Sequence, residues 1–289
     1  MPVAVFSTSG TARRLGKVVG DVIVDLSVAA PTLPLDMIGF LEAGEQAIKI
    51  FRSIRPDAAP RFALGDVALH PPVERPEKFL AIGMNYREHA KEAERGGYAE
   101  QPHQLWFNKQ VSCIAGPYDD IVLPRVSEQL DYEVELAVVI GRRGRHIAAA
   151  DARTFIGGYM VANDVSVRDW QMRSQTITLG KSFDTHGPTG PWLTLDHEVD
   201  DPHDLSLRTF VNGELRQSDN TSNLIHDLFE QIAYLSTVMT LKPGDILATG
   251  TPSGVGAAHQ PPKWLKAGDL VRAEVEGLGH LENHVVTER

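Results

Sequence analysis

From about residue 100 onward, the chain is a series of short apolar or alternating segments separated by turn residues. These segments are DIVLP, YEVELAVVI, GGYMVANDVS, GPWLTL, LSLRTFVNGELRQ, GDILATG, DLVRAEVEG and GHLENHVV, and VNGE within the fifth indicates a hairpin. One helical pattern, LIHDLFEQIAYLSTVM, interrupts them. This organisation predicts an α+β, β-rich fold, a mixed β-roll or sandwich with few helices, rather than a doubly wound sheet.

The N-terminal part of the chain has a different pattern. LGKVVGDVIVDLS predicts two short strands joined at Gly20 and Asp21, and LPLDMIGFLEAGEQAIKIFRSI has helical periodicity. The proline-rich HPPVERPEKF then predicts an extended linker. We therefore predict a small N-terminal α/β domain over residues 1–72 and a larger β-rich domain over residues 73–289.

Charge and composition exclude several classes of protein. The formal net charge is −10 and the basic residues are scattered, whereas a nucleic-acid-binding protein needs a basic stripe. No run approaches the ~20 apolar residues of a membrane-spanning helix, and the N-terminus lacks the apolar core of a secretion signal. Cys113 is the single cysteine, so an internal disulfide is impossible. We expect a cytoplasmic protein with no nucleic-acid or membrane partner.

The segment DYEVELAVVI places carboxylates at every second position. Because side chains alternate along a strand, Asp131, Glu133 and Glu135 would share one face, and the apolar Ala137 and Val139 continue it. A solvent-exposed face is one explanation. A face that leads into the core instead brings repelling, poorly hydrated carboxylates together, and a bound cation relieves that repulsion. Oxygen ligands favour Mg²⁺, Mn²⁺ or Ca²⁺ over zinc.

A further acid follows in GGYMVANDVSVRDWQ. If a helix begins at Asp164, then Asp164, Arg168 and Gln171 lie on one helical face. The alternative is that Asp164 only caps the helix and forms an ion pair with Arg168. Lys181 lies in LGKSFDTHGPTGPWL, a segment rich in glycine and proline, where it is either solvated or compensates the charge of a substrate.

A polar helix is predicted in NYREHAKEAERGG. Asn85 can cap it together with Glu88, and Gly96 and Gly97 can end it. His89 in such a helix would ordinarily be a solvated histidine. However, a polar helix next to glycines is also typical of a mobile lid.

Taken in order, these motifs resemble the fumarylacetoacetate hydrolase family. The motifs are IGMNYREHAKE, E-x-E, N-D, G-K-S-F-D and PGDILATGTPSGVG, and together they cover residues 78–289. The resemblance implies that residues 73–289 are the catalytic domain and that it binds Mg²⁺ or Mn²⁺, with Ca²⁺ as a possible substitute. Its implied residues are the metal ligands Glu133, Glu135 and Asp164, the substrate-contacting Lys181, the substrate-orienting Arg168 and Gln171, the carboxylate-binding Thr251, and the acid–base pair His89 and Glu92.

This resemblance suggests hydrolysis of a 2,4-diketo acid of the acylpyruvate type to pyruvate and a carboxylic acid. The metal would stabilise a pyruvate enolate, His89 oriented by Glu92 would deprotonate the attacking water, and Lys181 would hold the anion. Decarboxylation of oxaloacetate and a hydroxymuconate-type isomerisation suit the same scaffold. An alternative of another class is a non-catalytic, metal-stabilised binding protein.

The resemblance also implies a keto-acid ligand and a homodimer. The wall that selects the acyl group has five candidates, namely Tyr86, His103, Trp106, Phe107 and Trp170.

Overall fold

A computed structural model describes residues 1–58, 60–95 and 102–289 of the chain. Its strands within these ranges are β1 (Val3–Ser7), β2 (Arg14–Val19), β3 (Val22–Asp25), β4 (Arg61–Ala63), β5 (Ala68–His70), β6 (Phe79–Gly83), β7 (Leu105–Lys109), β8 (Ile114–Ala115), β9 (Ile121–Leu123), β10 (Leu130–Asp131), β11 (Val134–Ile140), β12 (Ile156–Asn163), β13 (Ser166–Val167), β14 (Gly187–Leu195), β15 (Ser206–Val211), β16 (Glu214–Asn220), β17 (Ile246–Ala248), β18 (Leu270–Val275) and β19 (Gly279–Thr287). The α-helices are α1 (Leu26–Ala29), α2 (Met37–Glu42), α3 (Gly44–Ser53), α4 (Arg87–Arg95), α5 (Arg168–Gln171) and α6 (Leu228–Val238).

Two large sheets dominate the described residues. The first has the strand order β4-β3-β2-β1-β14-β12-β11-β17-β6-β7, with β5 added to β1 and β8 to β14. The second has the order β16-β15-β18-β19-β9, and β10 pairs separately with β13. Most pairs are antiparallel, but β17–β6, β14–β8 and β19–β9 are parallel. The predicted β-rich, mixed α+β fold is therefore confirmed.

Strand β11 contributes to a hydrophobic core on each of its faces. Ala137 and Val139 pack in the core that includes Phe40 of α2, whereas Leu136 and Val138 pack in the core between the two sheets and α6. This position explains the uninterrupted apolar run LAVVI, because a strand buried on both faces needs no polar positions.

The N-terminal residues join the first sheet through β1. This strand pairs with β2, β5 and β14, so the sheet is continuous across the predicted boundary at residues 72 and 73. The two strands predicted around Gly20 and Asp21 are β2 and β3. The single helical pattern predicted after them is divided into α2 and α3, because Gly44 takes a left-handed conformation with φ of 58°. The division into two domains stays a prediction.

Helix α4 begins at Arg87, so the predicted capping by Asn85 and Glu88 is wrong. The Asn85 amide instead donates to the carbonyls of His226 and Thr249, and Glu88 pairs with Lys91. The two Asn85 contacts tie the chain just before α4 to the segment that precedes α6 and to the segment that follows β17. The predicted end at Gly96 and Gly97 lies outside the described residues. No helix in the described ranges is long and apolar enough to cross a membrane.

Candidate active site

Three carboxylates meet where β11 begins and β12 ends. The two strands are antiparallel with Val134 opposite Asn163, which brings Glu133 and Glu135 beside Asp164. Two hydrogen bonds fix this junction: Glu133 N donates to Asn163 Oδ1 at 3.0 Å, and Asp164 N donates to the Glu133 carbonyl at 2.8 Å. Ligand atoms of Glu133, Glu135 and Asp164 lie within 4.8 Å of one another, and all three residues are buried.

Asp131 does not join this group, and the prediction of one continuous acidic strand face is wrong. The strand is interrupted at Tyr132 and Glu133. The Asp131 carboxylate turns to the backbone amides of Gly256 and Ala257, which donate to it at 2.7 and 2.9 Å. The alternative of a solvent-exposed acidic face is also wrong, because Asp131, Glu133 and Glu135 are all buried.

The helix predicted to begin at Asp164 begins at Arg168 instead, after the short strand β13. The Arg168 guanidinium therefore contacts other acids: Nε donates to Asp131 Oδ2 at 2.8 Å and Nη1 lies 2.6 Å from Glu133 Oε1. Nη1 also donates to Gln171 Oε1 at 3.0 Å. The predicted ion pair between Asp164 and Arg168 is not among the ion pairs of the described residues.

Lys181 is buried between the acids. Its Nζ lies 2.7 Å from both Glu133 Oε2 and Asp164 Oδ2. It is the last residue of a 3₁₀ turn, Thr178–Lys181, that packs closely on α5. A side chain at Gly180 would place its Cβ 2.2 Å from the backbone nitrogen of Gln171, so only glycine permits this approach. The alternative of a solvated loop lysine is therefore wrong.

Lys109, at the end of β7, is a site residue that was not predicted from the sequence. Its Nζ donates to Asp164 Oδ1 at 2.6 Å and to the carbonyl of Lys181. Lys109 is 2% exposed and lies on the same face of the strand as the buried Phe107. The available signal was this alternation, because a lysine in register with buried positions needs an acidic partner.

The charges of these groups set their pKa values. Burial alone would raise the pKa of Glu133, but the charges of the nearby Lys181 and Arg168 outweigh burial and lower that pKa to about 2. Burial, then the charges of Asp164 and Glu133, hold the pKa of Glu135 well above its ordinary value. Burial lowers the pKa of Lys181, yet Asp164 and Glu133 outweigh it and raise that pKa overall. Among the ion pairs of the described residues, cations contact Glu133 and Asp164 but not Glu135, which accepts a hydrogen bond from Gly250 N at 2.9 Å.

This donor set fits a hard divalent cation. Glu133, Glu135 and Asp164 offer only oxygen ligands, and oxygen ligands are those that Mg²⁺ and Mn²⁺ prefer. A cation beside Glu135 would offset the repulsion that raises its pKa.

His89 and Glu92 form a pair on α4. His89 Nδ1 lies 2.9 Å from Glu92 Oε2, and the two side chains are 13% and 19% exposed. The other Glu92 oxygen accepts a hydrogen bond from Gly254 N at 3.0 Å. The pair is thus held against the chain that follows Thr251, and the alternative of a freely solvated histidine is wrong.

One cavity of about 520 Å³ joins these groups. All the site residues predicted from the sequence line it except Asp164, which has a ligand atom within 4.8 Å of those of Glu133 and Glu135. Thr251 contributes to the wall, where its hydroxyl donates to the Val134 carbonyl at 2.9 Å. Of the five candidates for the selective wall, only Phe107 is among the described residues that line the cavity. The rest of the wall includes apolar residues, namely Ile82, Met84, Leu105, Met172, Ile177 and Val255.

Comparisons with known proteins agree on one family. The profile described as Fumarylacetoacetate (FAA) hydrolase C-terminal matches residues 78–286. A mitochondrial oxaloacetate tautomerase of Bos taurus is 45% identical over 269 residues, which are 92% of this chain and 85% of that protein. Maleylpyruvate hydrolase from Sphingobium sp. SYK-6, solved with manganese(II) and pyruvate, matches with a TM-score of 0.83 and 33% identity over the whole of both chains. The 5-carboxymethyl-2-hydroxymuconate delta-isomerase of Mycobacterium smegmatis matches with a TM-score of 0.78 and 34% identity, again over both whole chains.

Proposed function

Because this chain belongs to the fumarylacetoacetate hydrolase family, we propose that it interconverts the keto and enol forms of oxaloacetate or a closely related 2-oxo dicarboxylate. The relative named an oxaloacetate tautomerase supports this choice, since it shares 45% of its residues with the chain over 269 positions. The proposal replaces hydrolysis as the main interpretation and follows the alternative of an isomerisation on the same scaffold.

The observation that carries the proposal is the position of the His89–Glu92 pair in the cavity of the carboxylates. His89 has its Nδ1 engaged by Glu92 at 2.9 Å, and both residues line the same cavity as Glu133, Glu135 and Lys181. A positioned base together with groups that stabilise negative charge is what proton transfer beside a carbonyl requires. No water or leaving group is needed for that reaction.

Glu133, Glu135 and Asp164 would hold Mg²⁺ or Mn²⁺, with Ca²⁺ as a possible substitute. When bound, such an ion acts as a Lewis acid that lowers the cost of negative charge on the C2 oxygen of the substrate. Solved with manganese(II) and pyruvate, the maleylpyruvate hydrolase neighbour supports this class of cofactor.

The proton transfer uses the side chains of α4. With Glu92 ionised, His89 Nδ1 donates its hydrogen to Glu92, and Nε2 is left as the basic nitrogen. Nε2 removes a proton from C3 of the keto form, the electrons of the C–H bond form the C2–C3 double bond, and the carbonyl electrons move to oxygen. The same proton is then delivered to that oxygen, which gives the enol. Atoms and charge balance without another reactant.

The cations of the site would hold the substrate while this happens. Lys181 remains an ammonium because Asp164 and Glu133 raise its pKa, and it offsets the charge that develops on the substrate. Arg168 and Gln171 would orient a carboxylate and Thr251 would bind one. The Arg168 Nη2 atom is buried and has no hydrogen-bond partner in the described part of the chain, so it is available to donate to a substrate carboxylate.

Hydrolysis of an acylpyruvate is the second candidate, and the maleylpyruvate hydrolase neighbour favours it. In that reaction His89 would deprotonate a water molecule rather than the substrate. Decarboxylation of oxaloacetate and a non-catalytic metal-binding role are further outcomes of the test. A homodimer and a cytoplasmic location remain part of the proposal, while the bovine relative is named mitochondrial.

The test is a substrate panel followed by proton NMR. Oxaloacetate, an acylpyruvate and a hydroxymuconate-type diacid are each mixed with the enzyme and Mg²⁺ or Mn²⁺, against the same metal without enzyme. Accelerated keto–enol exchange of oxaloacetate, with no loss of carbon dioxide, supports the proposal. The variant His89→Asn should lose the acceleration, whereas His284→Gln, which changes an exposed histidine, should keep it. Cleavage of the acylpyruvate alone would establish hydrolysis. If no substrate reacts, the alternative of a non-catalytic, metal-stabilised binding protein remains.

A further inference from the structure

Asp131 is a buried carboxylate that the proposed reaction does not use. Four donors surround it: Tyr132 N and Gly256 N reach Oδ1 at 2.9 and 2.7 Å, and Ala257 N and Arg168 Nε reach Oδ2 at 2.9 and 2.8 Å. The residue is 0% exposed. A buried carboxylate with this many donors is fully engaged, so its role must pass through the groups it holds.

One of these groups is the backbone of residues 254–258, which we term the glycine loop. Besides the two amides bound by Asp131, the Gly254 carbonyl accepts a hydrogen bond from the Tyr132 hydroxyl at 3.0 Å. Gly256 approaches Asp131 so closely that a Cβ there would lie 2.6 Å from Oδ1. Asp131 and Tyr132 therefore hold the glycine loop at two points, and the loop sequence is adapted to that contact.

The glycine loop in turn holds the acid–base pair. Gly254 has φ of 99°, and its amide donates to Glu92 Oε1 at 3.0 Å. The opposite oxygen of Glu92 is the one that contacts His89. A shift of the loop would therefore move the carboxylate that orients the base.

The other group that Asp131 holds is Arg168. Its Nε is fixed by Asp131 while Nη1 is shared between Glu133 and Gln171. This arrangement sets the plane of the guanidinium in the cavity, where its third nitrogen is buried and unpaired among the described residues. The same carboxylate thus contacts a cation of the cavity and, through the glycine loop, is connected to Glu92 on α4.

We propose that Asp131, assisted by Tyr132, is a positioning residue that couples Arg168 to the His89–Glu92 pair through the glycine loop. Occupation of Arg168 by the carboxylate of a dicarboxylic substrate is then linked to the docking of α4 over the cavity. This inference rests on the proposed function for the identity of the substrate, but the contact network itself does not depend on it.

A matched control is available in Asp245. This aspartate is also 0% exposed, accepts hydrogen bonds from the backbone amides of Lys78 and Lys242, and contacts the Lys78 ammonium at 3.0 Å. It precedes β17, at the opposite end of that strand from Thr251. Asp245→Asn therefore makes the same chemical change in a similar environment away from the cavity.

The experiment compares Asp131→Asn, Tyr132→Phe and Asp245→Asn with the wild type. Hydrogen–deuterium exchange by mass spectrometry reports on α4 and the glycine loop, and initial rates with oxaloacetate and Mg²⁺ give kcat and KM. In Asp131→Asn an amide NH₂ faces two donors, so we expect faster exchange in both segments, a raised KM and a lowered kcat. The combined loss in kcat/KM should be about 10- to 100-fold, the range for a hydrogen bond to a charged group.

Tyr132→Phe removes the bond to the Gly254 carbonyl together with the contact of the hydroxyl with Arg216, and it keeps the ring. We expect faster exchange of the glycine loop and a kcat lowered by roughly 2- to 10-fold. KM should rise less than in Asp131→Asn, because Arg168 keeps its bond to Asp131. Asp245→Asn should lower the thermal midpoint and leave both segments and both kinetic constants as in the wild type. If Asp131→Asn does not fold, the Tyr132→Phe comparison decides.

The proposal is overturned if Asp131→Asn behaves like Asp245→Asn, or if its kinetics change while exchange in α4 and the glycine loop does not. Unchanged exchange in Tyr132→Phe overturns the part assigned to that hydroxyl. A wild type that does not turn over oxaloacetate would refute the proposed function instead, and the exchange comparison would still test the coupling.

Discussion

The ammonium of Lys181 lies 2.7 Å from the Asp164 carboxylate, although the two residues are separated by 17 positions in the chain. Their side chains are 3% and 1% exposed, so the pair is shielded from water on both sides. A buried ion pair is costly to break, because removal of one partner leaves an uncompensated charge. The pair therefore fixes the 3₁₀ turn against the end of β12.

We expect Lys181→Met to lower kcat by about 100-fold or more, because it removes a cation that faces developing negative charge. The methionine keeps most of the volume, so the protein should still fold when Mg²⁺ or Mn²⁺ compensates the acids. Steady-state rates and circular dichroism measure the two effects. Lys263→Met, which changes an exposed partner of Glu214, is the control. An active Lys181→Met variant would contradict this role. If the variant is unfolded and the wild type cleaves or converts no substrate, a purely structural role of the site is favoured.

Glu135→Gln should abolish the stabilisation that a divalent ion gives the wild type. At a free ion concentration 100 times the Kd, that stabilisation is about 2.7 kcal/mol. Without metal, the variant should unfold at the same or a higher temperature than the wild type, because Glu133 and Asp164 no longer repel a third carboxylate. Thermal unfolding with Mg²⁺, Mn²⁺ and chelator measures this, with Glu276→Gln on the surface as control. A full metal-induced shift in Glu135→Gln would argue against its assignment as a ligand.

Gly180→Ala should damage both stability and activity. Its Cβ would lie 2.2 Å from Gln171 N and 2.4 Å from Gln171 Cα, so the turn and α5 must separate. We expect the free energy of unfolding to fall by about 1–3 kcal/mol. The kcat should fall by roughly 10- to 100-fold as Lys181 moves. Urea unfolding and initial rates measure the two quantities. Gly65→Ala, where a Cβ meets nothing within 4 Å, should change neither, and equal behaviour of the two variants would refute the argument.

Stability should fall on acidification through His186. Burial lowers the pKa of this histidine to about 4, against an ordinary value of 6.5, and its Nε2 contacts the Val122 carbonyl at 2.8 Å. Between pH 6.5 and 4 the unfolded chain binds the proton more readily than the folded one. The free energy of unfolding therefore decreases as pH falls through this window, by up to about 1.4 kcal/mol per pH unit. Above pH 6.5, His186 is largely neutral in both the folded and the unfolded chain, so its titration no longer changes the free energy of unfolding.

Urea unfolding at several pH values tests this slope. His186→Gln cannot gain the charge, so the difference between wild type and variant should change across pH 6.5 to 4 and stay constant above it. His284→Gln provides the comparison for an exposed histidine. A difference independent of pH would show that His186 does not titrate in this way.

Local patterns predicted the β-rich class, the β2–β3 pair and the hairpin of β15 and β16, because these depend on neighbouring residues. The gathering of Glu133, Glu135 and Asp164 followed from an order of motifs rather than from geometry. The interruption of the strand at Tyr132 could not be predicted from the sequence. Only the amides of Gly256 and Ala257, which are distant in the chain, explain why the Asp131 carboxylate points away from Glu133 and Glu135. The alternation of β7 marks Lys109 as a buried position, but its acidic partner, Asp164, lies 55 positions further along and could not be identified from the local pattern.

The pairing of β1 with β14 has a practical consequence for anyone who shortens the chain. A fragment that begins at residue 73 would lack β1 and would leave part of β14 as an uncovered edge of the sheet that remains. Uncovered edges recruit strands from other molecules. We expect such a fragment to aggregate. By covering the edge of β14, strand β1 therefore prevents self-association through that edge.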